Sequence, residues 1–132
     1  MRRARPDLLS GGARQEGPAP LGLIYKICSA PLWRQAEGKG FFIGAPVDLA
    51  DGYIHFSTHE QVRETARRHF AGAGDLVLIA VETDSLPDLR WEPSRGGALF
   101  PHLYVPLPLT TIRWAKPLPL GRDGAHVFPE LE

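Results

Sequence analysis

The residues best suited to chemistry fall in four short stretches. His55 and Ser57 lie in "YIHFS", Glu92 lies in "LRWEP", Ser94-Arg95-Gly96-Gly97 follows, and His102 precedes Tyr104 in "FPHLY". An imidazole titrates near neutrality, so it can take or give a proton or bind through either ring nitrogen. A carboxylate can balance positive charge that develops on a reacting carbon. A tyrosine offers a ring to stack on and a hydroxyl to bond with. Each residue also has a plain structural use: a half-exposed strand histidine, a glutamate paired with Arg90 or Arg95, a tight turn at Gly96-Gly97. Their concentration around the glycine- and proline-broken segment "SRGGALFPHLYVPLPL" singles them out, because long ordered loops tend to carry function.

Other chemistries lack their patterns. A Ser-His-Asp hydrolase wants its serine on a turn such as G-x-S-x-G, which is absent, so Ser57 reads instead as a helix cap. Cys28 sits inside a strand pattern with no activating neighbour, as a buried structural thiol would. His55 and His59 are four apart, but that interval spans a strand-to-helix junction. With no H-E-x-x-H and no paired cysteines, no metal is expected. Gly38-x-Gly40 lacks the setting of a dinucleotide fingerprint, and no P-loop is present. The helix start after Ser57 offers free N–H groups to an anion beside His55, although Glu60 sets a carboxylate against it.

These residues must be held by a chain of 132 residues, enough for one domain with a real core. Its 15 basic and 15 acidic side chains cancel, which removes the usual footprint of a nucleic-acid binder. One cysteine allows no internal disulfide, and a reducing cytoplasm is the expected location. No apolar run approaches the roughly 20 residues of a membrane helix, so no membrane partner is expected. Residues 1–22 are rich in Arg, Gly and Pro without apolar period and read as a disordered tail; residues 23–132 read as a single α+β domain. Oligomeric state is open.

Periodicity then places the elements. "LIYKICS" is a strand with Leu23, Tyr25 and Ile27 on one face and Ile24, Lys26 and Cys28 on the other. Ser29 caps a short helix whose stripe is Leu32, Trp33 and Ala36, ending near Gly38. "FFIGAPVDLADG" is irregular, with at most one turn around Val47–Ala50. In "YIHFS" alternation sends Ile54 and Phe56 inward and Tyr53, His55 and Ser57 the other way. Overlapping capping boxes, Ser57 with Glu60 and Thr58 with Gln61, begin a helix "HEQVRETARRHF". "DLVLIAVET" is apolar on both faces, as in a covered central strand. "LRWEP" and "TIRWAKP" close the series. The fold class is α+β: a small mixed split sheet of about five to seven strands with two short helices.

The blocks "IYKI", "DLADGYIHFSTHEQV", "LVLIAVE", "WEPSRGG" and "LFPHLYVPLPL" resemble the bacterial and plant family called domain of unknown function 952. The resemblance runs roughly from Leu23 to Pro129. By fold-level analogy it implies an ADP-ribosyltransferase-like architecture with a cleft for NAD. That analogy lines the cleft with Lys26, where many relatives carry histidine, with His55 and Ser57, and with Glu92, His102 and Tyr104. It implies an NAD-dependent ADP-ribosyl or related transferase with Glu92, His55 and His102 as catalytic residues. Lys26, His55, Ser57 and Tyr104 would then contact the ligand. The alternative is a non-catalytic protein of the same fold that binds a nucleotide-like small molecule. A hydrolase using His55, His102 and Glu92 ranks behind both.

Overall fold

The computed structural model describes residues 22–132. The expected tail, residues 1–22, lies outside the described residues except for Gly22. The chain-order elements are β1 (Leu23–Ser29), α1 (Ala30–Lys39), β2 (Phe41–Phe42), α2 (Pro46–Asp51), β3 (Ile54–His55), α3 (Val62–His69), β4 (Leu76–Glu82), β5 (Leu89–Pro93), β6 (Leu99–Leu103), β7 (Leu107–Pro108) and β8 (Ile112–Pro117). They form a three-stranded sheet β1-β4-β8, a ribbon β2-β7 and a second three-stranded sheet β3-β6-β5. The α+β class holds, with two amendments. The described residues contain three short helices rather than two, and every strand pair is antiparallel, so the sheets are not mixed.

β4 is the covered central strand that its apolar run predicts. Ile79 and Val81 enter one core with Ile24, Cys28, Trp33 and Ala36, joined by Phe42, Ile54, Phe56 and Leu103. Leu76, Leu78 and Ala80 enter a second core with Tyr25, Ile27, Val62 and Ala66. The first sheet is therefore buried on both faces, by α1 on one side and α3 on the other. Ser29 caps α1 by accepting from the Leu32 N–H at 3.3 Å, and the helix runs past Gly38 to stop at Gly40.

The two main sheets meet at one seam. The expected strand Tyr53–Ser57 pairs regularly only over Ile54–His55. The Phe56 N–H still donates to the Pro101 carbonyl at 3.0 Å, but Ser57 leaves β6 and exchanges two backbone hydrogen bonds with Tyr25 of β1, at 2.8 and 2.9 Å. A four-residue turn follows, in which Gln61 Oε1 accepts from the Thr58 N–H at 3.0 Å. That is half of the second capping box. Ser57 caps nothing, and helix α3 starts three residues later than its sequence suggests.

The stretch expected to be an irregular loop, residues 94–109, is more ordered than its composition implies. Gly96 and Gly97, both at positive φ, turn the chain from β5 into β6, so this glycine pair serves a hairpin. Upstream, α2 replaces the single turn expected near Val47. Pro46 opens it, and the Asp48 side chain accepts from the Ala45 N–H at 2.7 Å. Gly44 makes this possible. It has φ +126°, and a Cβ there would stand 2.8 Å from Asp48 Cβ. Gly44→Ala should therefore destabilise by about 1–3 kcal/mol in urea unfolding. Gly38→Ala, with nothing within 4 Å of the added methyl, should be neutral or stabilising. Equal effects of the two changes would contradict the close approach at Asp48.

Candidate functional site

Register brings the chemistry-bearing residues together. β3 and β6 set His55 directly opposite His102, and β5 sets Arg90 opposite His102 from the other side. Residues opposite each other in antiparallel strands share a face, with Cβ atoms about 5 Å apart. Tyr53, just before β3, fills the space above them. Its ring centroid lies 4.6 Å from His55, 4.2 Å from His102 and 5.0 Å from Tyr104. The two imidazoles meet edge to face at 5.5 Å. Arg90 lies 5.0 Å above the Tyr104 ring.

Each imidazole is held by a carboxylate. Asp48 is 1% exposed, and its Oδ1 lies 2.6 Å from His55 Nδ1. The same carboxylate accepts from the His55 backbone N–H at 3.1 Å and from Lys26 Nζ at 2.7–2.9 Å. Burial pushes the Asp48 carboxyl up, but the hydrogen bond from His55 and the charge of Lys26 outweigh it and hold it down at about 2. Burial pulls the Lys26 ammonium below its usual range, and Asp48 restores part of that. The pair is unequal because Asp48 spreads its charge over several donors while Lys26 leans on Asp48. Asp51, at the exposed end of α2, places Oδ2 3.0 Å from His55 Nε2.

The second pair lies across the sheet. Glu92 Oε1 is 2.6 Å from His102 Nδ1 and accepts from the Tyr104 hydroxyl at 2.8 Å. These two hydrogen bonds hold the Glu92 carboxyl below the usual range, and the Glu92 acceptor raises the Tyr104 phenol. Tyr53 is raised by burial and by the charges of Asp51 and Glu92.

His55, His102, Glu92 and Tyr104 thus share one cluster. Lys26 stands behind it: its ammonium is buried and reaches His55 through Asp48. Ser57 is turned away, with its hydroxyl 2.8 Å from Thr65 Oγ1, a group that Arg95 also approaches at 3.4 Å. Cys28 is buried and its thiol is pushed up to about 11, as a structural cysteine would be. Sequence reasoning missed Asp48, Asp51 and the central role of Tyr53. The available signal was a proline followed two residues later by an aspartate, the opening of a short helix, in "APVDLADG".

A recess of about 170 Å³ is walled by Tyr53, Tyr104 and Asp48 together with Ile43, Leu49 and Val105. A larger one of about 360 Å³ opens elsewhere, where Trp33, Asp75 and Lys116 meet. It is bounded by charges of both signs and by no residue of the cluster, whereas the smaller recess shares Asp48, Tyr53 and Tyr104 with the cluster; neither recess is lined by His55, His102 or Glu92. Among the described residues no group of three metal-ligating side chains converges, and no helix is long and apolar enough to cross a membrane.

Residues 27–115 match the family model described as "Protein of unknown function (DUF952)", and the chain belongs to that family. It is similar to protein CC0527 from Caulobacter crescentus. The X-ray structure of that protein is 51% identical, covering 80% of this chain and 93% of that one, with a TM-score of 0.76. Its solution NMR structure is 52% identical, covering 78% and 90%, with a TM-score of 0.71. No curated protein matches.

The buried pair can be tested by stability alone. Lys26→Met leaves Asp48 charged without its counter-ion and should lower unfolding free energy by about 3–5 kcal/mol, while Lys26→Met with Asp48→Asn should recover most of it. The acid limb gives a second check. The folded-state value of about 2 lies below the ordinary 3.8, so the stabilisation is complete above pH 4. It should fade as pH falls through that window, by about 2 kcal/mol in total, and the double variant should lack this component.

Proposed function

We propose that the Tyr53–His55–His102–Glu92–Tyr104 face binds a nucleotide-like small molecule. One observation carries this reading: two carboxylate-oriented imidazoles converge on a half-exposed tyrosine ring that also walls a small recess. Aromatic faces suit a flat heterocycle, and the polar groups around them suit a sugar. The recess, about 170 Å³, suits one ring of a dinucleotide rather than the whole. NAD therefore fits with nicotinamide in the recess and the remainder outside it.

Transferase chemistry is the more demanding form of this proposal. Both hydrogen bonds recorded for Glu92 fall on Oε1, which leaves Oε2 to face a ligand. There it would balance the positive charge that grows on ribose as the bond to nicotinamide breaks, much as carboxylates act on glycosides. His102, buried behind it, would fix its orientation. The split between the two main sheets supports the ADP-ribosyltransferase analogy in outline. A non-catalytic role has its own support: His102 and Tyr104 occupy Glu92, and Lys26 is sequestered.

Two measurements separate these. Millimolar NAD should raise the melting temperature, since a ligand of the native state stabilises it by mass action. A flat titration would remove NAD from consideration. Nicotinamide release should fall about a hundred-fold in Glu92→Gln and persist in Glu64→Gln, whose carboxylate is tied to Arg67 and Arg68 on the outer face of α3. Binding without release would leave the non-catalytic role standing.

A further inference from the structure

We propose that Arg95, at the tip of the hairpin between β5 and β6, binds the phosphate of the small molecule held on this face. The proposal rests on the nucleotide-like reading above and gives that ligand an anionic end.

Register places Arg95 at one end of the clustered face. Glu92 stands opposite Phe100, and Arg90 stands opposite His102. Phe100 and His102 therefore share the side of β6 that carries the cluster, with Tyr104 just past its end. The Arg95 guanidinium carbon lies 4.8 Å from the centre of the Phe100 ring. Phe100 is 7% exposed yet joins neither core, so Arg95 supplies part of its cover. A strand advances about 3.3 Å per residue, so Phe100 sits about 7 Å from His102 along β6. That step is close to the reach from a sugar ring to its 5′-phosphate. A sugar held at Glu92 would bring its phosphate to the edge of Phe100, beside the guanidinium.

The guanidinium is held in place but its charge is unmatched. Arg95 is half-buried, stacks on Phe100 and donates from Nη2 to Thr65 Oγ1 of α3 at 3.4 Å. A guanidinium carries five N–H donors, and that bond uses one. Among the described residues no carboxylate oxygen lies within 4 Å of it. The acidic side chains of the adjoining elements are engaged elsewhere. Glu92 turns Oε1 to His102 and Tyr104, Glu64 is bound by Arg67 and Arg68, and Glu60 stands in solvent beside His59. The Ser57 and Thr65 hydroxyls are 2.8 Å apart and share one hydrogen, which leaves the other hydroxyl hydrogen without an acceptor among the described residues. A fork of N–H groups with a hydroxyl beside it suits phosphate oxygens. Arg90 is placed differently. It is exposed over the Tyr104 ring, and the Glu92 carboxylate in its field offsets its pull on an anion.

The test titrates nicotinamide mononucleotide and nicotinamide riboside, which differ only by the phosphate, into the full chain by NMR. The mononucleotide should bind at least about ten-fold more tightly at low salt, because hydrogen bonds to a charged group are the strong ones. That advantage should shrink as salt is raised. Arg95→Gln should remove it and leave the riboside affinity unchanged. Arg95→Lys should keep part of it, since the charge stays and the fork is lost. Arg90→Gln should cost the mononucleotide less than Arg95→Gln does. If Arg95 only clasps the hairpin to α3, Arg95→Gln will weaken both compounds alike or neither, and the proposal fails. Equal binding of the two compounds to the wild type, or a larger effect from Arg90→Gln, would likewise overturn it while leaving a nucleotide-like ligand in place. The wild-type comparison needs no variant and decides the matter even where Arg95→Gln does not fold. If neither compound binds and NAD does not either, the nucleotide-like reading falls and the phosphate site with it.

Discussion

The structure depends on one carboxylate that has no business being buried unless it is surrounded by donors. Asp48 is 1% exposed, and taking a charge that far from water costs several kcal/mol before any compensation. The compensation comes from three separate segments: the Lys26 ammonium from β1, the Ala45 N–H that opens α2, and both the backbone and ring of His55 in β3. A single side chain thus ties the first sheet, a six-residue helix and the edge of the second sheet together. A well-packed apolar replacement for a buried ion pair is often neutral or stabilising, so stability alone does not explain this one. What it does hold, at 2.6 Å, is an imidazole that faces out.

The seam at Ser57 explains why that imidazole is only half covered. Up to Phe56 the chain is bonded to β6, and from Ser57 it is bonded to β1. Ile54 and Phe56 stay in the core that lies on one face of the first sheet. Because the inner side of β3 and β6 packs on the first sheet through Ile54 and Leu103, the outer side is left to Tyr53 and Tyr104, which shield it incompletely. The openness of this face is therefore a consequence of how the strands are packed.

Local features were legible from residue order, and long-range ones were not. Alternation gives His55 the face opposite Ile54 and Phe56, and the continuous apolar run of β4 announces a strand covered on both sides. Both rest on a period that neighbouring residues display. The same alternation misplaces the Ser57 hydroxyl: once the strand changes partners, its side chain goes to Thr65 instead of beside His55. His102 and Glu92 could be suspected by type, but their contact with Tyr53 and Tyr104 depends on the registers of β3-β6 and β5-β6, which sequence spacing does not encode. Asp48 was hidden for a different reason. Its helix is too short to show a 3.6-residue period, and the glycine and proline before it read as loop punctuation although they make room for the carboxylate and start the turn.

The two carboxylate–imidazole pairs are built in opposite senses. In one the carboxylate is 1% exposed and the imidazole 31%; in the other the imidazole is 4% exposed and the carboxylate 33%. The face accordingly presents one imidazole and one carboxylate, each oriented from behind by a buried partner of the other kind, with a tyrosine ring between them. Two surface ion pairs would hold neither group in a fixed direction, since exposed pairs contribute little and exchange with water. Burying one member of each pair fixes the other while leaving it open to a ligand. That inverted arrangement makes this face, rather than the larger charged recess near Trp33, the place where a small molecule would meet prearranged polar groups.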